Sequence, residues 1–162
     1  MKEKRWFDWE RYAPVGLDLG LEKGFFIVGL TFAQVASLGR FPAVLLHTYD
    51  VIWMDKANKV FYPDMRIMTF GQMLENSLVW FFLLAAAMLL FVAHHYAYHY
   101  QGSKSIYLMR RLPDGRELHR RCWTLPLLAA AASIGLALVN LAVYFTLYML
   151  VLPEAVRPGS LW

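Results

Sequence analysis

From Trp123 to Leu152 the chain runs 30 residues without Asp, Glu, Lys or Arg, and from Asn76 to Ser103 it runs 28. About 20 predominantly apolar residues suffice for a helix to cross a bilayer. Both runs exceed that length, which points to an all-α integral membrane protein. A third run, Gly24 to Gly39, gives 16 uncharged residues before Arg40 and "FPAVLL". With Arg40 near a helix end, its side chain can snorkel to the headgroups and the span can continue to about Leu46. The expected spans are therefore about 24–46, 76–98 and 123–152, in a single membrane domain over residues 1–162. Residues 1–23 form an interfacial segment, 47–75 and 153–162 an external loop and tail, and 101–121 a cytoplasmic helical loop.

Composition agrees with this class. The chain is 59% hydrophobic and 17% charged, against about 45–50% and about 25% in soluble domains. The single Cys122 excludes an internal disulfide and a Cys-based zinc site. The start, "MKEKRWFDWERY", lacks the apolar core and small-residue cleavage site of a signal peptide.

Basic residues set the expected orientation. Segment 101–121 carries six Lys or Arg, whereas 47–75 carries three: Lys56, Lys59 and Arg66. The positive-inside rule places 101–121 and the N-terminus in the cytoplasm and the C-terminus outside, in the cell membrane. Trp6, Phe7, Trp9 and Tyr12 lie among charges before Pro14. They suit a short helix at residues 4–13 on the cytoplasmic face; a frayed tail is the alternative. The 47–75 loop has turn signals at "DKAN" and "YPD" and reads as a folded cap built from a hairpin or short helices.

Small residues recur at helical spacing: Gly29, Ala33 and Ser37 in the first span, Ala129, Ser133 and Ala137 in the third. Such faces let helix backbones approach closely, and Asn140 can hydrogen-bond across an interface. The stretch "AHHYAYHYQ" places His94, His95 and His99 at the cytoplasmic end of the second span. His95 and His99 are four apart and share a face. They are the residues that a metal or a haem would use. Tyr96, Tyr98 and Tyr100 alternate with the histidines, however, as in an interfacial aromatic belt. The belt is the reading carried forward, with no bound cofactor. A proton relay would need an acid, and the three assigned spans contain none. There is no phosphate-binding glycine loop, GxSxG or HExxH, so no enzyme is expected.

"SKSIYLMRRLPDGRELHRRC", residues 103–122, carries six basic residues against Asp114 and Glu117. A short helix "IYLMRRL" would end at Pro113. Asp114 and Glu117 make a capping-box-like start for "RELHRRCW", which runs into the third span. Pro126 marks a kink or the true start of that span. The apolar side chains of this loop suit a protein partner; its charges suit anionic lipid.

In this order of elements, and in the segment "SKSIYLMRRLPDGRELHRRCW", the chain resembles the N-terminal half of ABC-2-type ABC transporter permeases. It also resembles small bacterial membrane proteins, Firmicutes-like, that accompany ABC ATPases. The resemblance implies a coupling helix at 104–112, with Ile106, Tyr107, Leu108, Arg110, Arg111, Leu112 and Pro113 docking an ABC ATPase subunit. Such permeases have six spans where this chain has three, so a second membrane chain or another copy of this one would complete the unit. The function so implied is that of a non-catalytic membrane subunit of an ABC-type export complex, with no nucleic acid bound. The alternatives are a small structural or regulatory protein gripping anionic lipid, and a histidine-dependent metal or haem protein.

Overall fold

The computed structural model describes residues 12, 17–58, 60–62, 67–101 and 116–162, with the backbone alone at 99–101. The chain is mostly helical. In order, the described elements are α1 (Gly20–Val51), β1 (Trp53–Asp55), β2 (Val60–Phe61), α2 (Phe70–Leu74), α3 (Val79–Gln101), α4 (Glu117–Val151) and a 3-10 turn at Glu154–Val156. Three helices are long and apolar enough to cross a membrane: Gly20–Val51, Val79–Tyr98 and Glu117–Val151. At 1.5 Å per residue, the 32 residues of α1 and 35 of α4 are each longer than a hydrocarbon core of about 30 Å.

The helices begin and end where backbone chemistry differs from charge counting. The Asp18 carboxylate accepts from the Gly20 N–H at 2.8 Å, so α1 starts four residues before the first uncharged run and takes in Glu22 and Lys23. It then continues through Arg40 and Pro42 to Val51. Helix α4 begins at Glu117, which binds Arg120 and Arg121 one turn on, and passes through Pro126 without a break. Between α1 and α3, β1 and β2 form an antiparallel pair. Its turn is held by Asp55, which accepts from Ala57, Asn58 and the Asn58 side chain. The Asn58 side chain, and then the two N–H groups, hold the Asp55 carboxyl below its ordinary value. That contribution is present at neutral pH and lost as acid protonates the group. Helix α2 is closed by a capping box between Thr69 and Gln72, and the chain turns into α3 through Asn76 at φ 59°.

Contacts fall into two units, residues 1–30 with 83–134, and residues 31–82 with 135–162; α1, α3 and α4 contribute to both. In the first, Leu84, Ala85, Met88 and Ala130 form a buried cluster against Phe26, Leu30, Phe91 and Ala129. Leu19 and Leu125 form a smaller one with Tyr12 and Leu17. In the second, Phe41 stacks on Tyr144 at 4.4 Å, and Phe70 of α2 meets Phe41, Phe145, Tyr148 and Trp162 edge-on. Gly71 lies under Trp162 and its N–H bonds the Leu161 carbonyl, which ties the tail to α2.

Gly29 faces Leu84, and a Cβ at residue 29 would stand 2.6 Å from Leu84 Cδ1. Leu84 is buried, so its side chain must shift for a Cβ at residue 29 to fit. We expect Gly29→Ala to destabilise the folded chain in detergent by about 1–3 kcal/mol through overpacking. In a Leu84→Ala background the same change should be neutral or stabilising, because alanine is the better helix former. Equal effects in both backgrounds would show that residue 29 does not set this approach.

Candidate functional site

Pro126 sits inside α4 and carries no backbone N–H. The carbonyl four residues earlier, that of Cys122, therefore has no helical donor opposite it. His95 of α3 supplies one: its Nδ1 lies 3.0 Å from Cys122 O. A carbonyl only accepts, so Nδ1 carries a proton. On the far side of the ring, Nε2 lies 2.8 Å from Oε2 of Glu22, in the first turn of α1. The ring is fully buried and Glu22 nearly so. One imidazole thus bonds three helices, all within the first unit.

The sequence signs of this site were a proline inside an apolar run and a histidine on a helix; the acid was missed. The uncharged run starts the first span at Gly24, which puts Glu22 in the interfacial segment and leaves His95 without an acidic partner. The helix begins at Gly20, and Glu22 pairs with His95. The belt reading also fails for His95, whose ring has no exposed surface. Both ring nitrogens are engaged in hydrogen bonds. His94 is exposed, and the His99 side chain lies outside the described residues. Nearer the solvent, Trp123 Nε1 donates to the Tyr96 hydroxyl, which is free to donate to His119 Nδ1.

Beside the triad, Glu22 and Lys23 border a groove of about 390 Å³ lined by Phe26, Ile27, Met88, Leu128 and Ala129. In the second unit, Gln34 and Asn140 exchange two amide hydrogen bonds, at 2.9 and 3.3 Å. One turn on, Ser37 Oγ and Tyr144 OH are 2.8 Å apart. Ala33, Ser37, Ser133 and Ala137 are fully or almost fully buried, and Ala129 is partly so. The docking set Ile106, Tyr107, Leu108, Arg110, Arg111, Leu112 and Pro113 lies outside the described residues, as do residues 4–11 and Asp114.

Fold and site together define a helical chain with three membrane-length helices and a buried His–Glu pair. Compared with known proteins, it matches no family model, no curated protein and no solved structure.

Removing one partner of a buried pair leaves the other without compensation. His95→Leu strips donors from both Cys122 O and Glu22. It should cost about 3–5 kcal/mol of unfolding free energy in detergent micelles. His94→Leu, at an exposed position, should change it by no more than about 0.5 kcal/mol. Similar values for the two variants would remove His95 from the account.

Proposed function

We propose that this chain is a multi-pass membrane protein that acts as a non-catalytic subunit of an ABC-type export complex. Its 103–121 connection docks a cytoplasmic ATPase, and a second membrane chain or another copy completes the unit. ATP chemistry resides in the partner.

Membrane insertion is supported by three helices of spanning length. They leave large apolar side chains outward, among them Leu21, Val28, Leu90 and Leu150. A surface of that kind suits lipid or other membrane helices, not water. The six basic residues of 101–121 favour its cytoplasmic placement.

The observation that carries the docking reading is the mounting of that connection. His95 lies six residues before the end of α3, Cys122 five residues after the start of α4, and Glu22 fastens the same ring to α1. A connection that transmits movement of a partner into the membrane needs helix ends that move together. Here the two ends are joined to each other and to a third helix by hydrogen bonds in a buried setting.

Leu108 and Leu112 are four apart in the sequence and share a face if 104–112 is helical. Each truncated leucine should weaken docking by about 1.5–3 kcal/mol. Leu108→Ala with Leu112→Ala should therefore strip an ATPase from the solubilised complex while the protein still inserts. Arg110→Gln with Arg111→Gln should do less at high salt, where exposed charges are screened. Should the arginine changes dominate and no ATPase come down with the unaltered protein, the lipid-gripping reading replaces this one.

A further inference from the structure

We propose that Glu22 and His95 form a binding site for a single exchangeable proton, and that its loss breaks the hydrogen bond joining α1 to α3 at this point. This inference does not depend on an ATPase partner.

The argument is a count of donors. Two acceptors face the ring, the Cys122 carbonyl at 3.0 Å and the Glu22 carboxyl at 2.8 Å. A neutral imidazole has one N–H. Both bonds therefore need a second proton, carried either on Nε2 as an imidazolium–carboxylate pair or on Glu22 as a carboxylic acid donating to Nε2. These two forms hold the same number of protons and differ only in where the proton sits along one bond. Removing it leaves the Nε2 lone pair facing a carboxylate with nothing between them. The ring can then turn to serve one acceptor, but not both.

Pro126 makes the count strict. In an unbroken helix the Cys122 carbonyl would receive an N–H from residue 126, and a neutral ring could hold its proton on Nε2 and serve Glu22 alone. With proline there, the carbonyl draws the ring's own proton to Nδ1. Glu22 is left with the proton that pH can remove.

Among the described residues, the neighbouring charged and titratable groups are the following. On α4, Arg121 is bound by Glu117 at 2.8 Å, His119 by Tyr96, and the Cys122 thiol is a weak donor on a buried side chain. On α3, His94 is exposed. On α1, Lys23 borders the groove beside Glu22. Glu22 itself lines that groove.

The sign follows. The α1–α3 bond is present while the pair holds its proton and is lost as pH rises and removes it. The test uses the full chain in lipid nanodiscs with ¹⁵N-labelled histidine, read by side-chain NMR and by melting temperature from about pH 5 to 8, where an unperturbed histidine changes charge. We expect Nδ1 to stay protonated wherever the chain is folded, one step in the His95 resonances, and a fall in melting temperature over the same step. In Glu22→Gln the amide N–H donates to Nε2 of the neutral ring, so both bonds survive without a removable proton and that fall disappears. A fall of equal size in Glu22→Gln would overturn the proposal. If that variant does not fold, the wild type still decides: His95 resonances that stay unchanged across the range, or that step without any change in melting temperature, would overturn it.

Discussion

The carbonyl of Cys122 organises one unit of this protein. In a regular helix it would be satisfied four residues on, but Pro126 stands there with no N–H to give. An unbonded carbonyl in an apolar setting is costly. His95 meets the demand, which fixes the ring's protonated nitrogen and aims the other at Glu22. A local defect in α4 thereby becomes a contact among three helices. The same unit keeps its apolar contacts short, with Gly29 under Leu84 and alanines in the cluster around Met88.

The other unit is held by different means. Gln34 and Asn140 saturate each other's amides, Ser37 bonds Tyr144, and Tyr144 stacks on Phe41. Helices in lipid gain little from the hydrophobic effect against one another, so close packing and paired polar groups do more of the joining. Around Phe70 a different logic applies: the five-residue α2, capped by Thr69 and Gln72, presents one aromatic ring to four others and takes the C-terminal Trp162 onto Gly71.

The long helices were legible because charge is sparse and its absence is easy to count. Their ends were not, since a helix stops where its backbone finds partners and not where the first charge appears. Asp18 caps an N–H at Gly20 and so brings Glu22 inside α1, which no run of uncharged residues could reveal. Pro126 is visible as a disturbance of the third helix, but His95, which answers it, lies 27 residues from Cys122 on another helix. Periodicity along one segment carries no information about such a partner. The hairpin at Trp53–Asp55 and Val60–Phe61 follows turn chemistry that the sequence does display, in Asp55 and Asn58. An amide at the middle of a span, such as Gln34 or Asn140, signals a bond but not its recipient.

The most direct test of this account is a double-mutant cycle between residues 126 and 95, measured as unfolding free energy in detergent micelles. In Pro126→Ala the new N–H bonds the Cys122 carbonyl, so His95 is no longer its needed donor. The cost of His95→Leu should then fall by about 1 kcal/mol, the net worth of one hydrogen bond. An equal cost of His95→Leu in the proline and alanine backgrounds would contradict the claim that the missing N–H of Pro126 is what holds His95 in place.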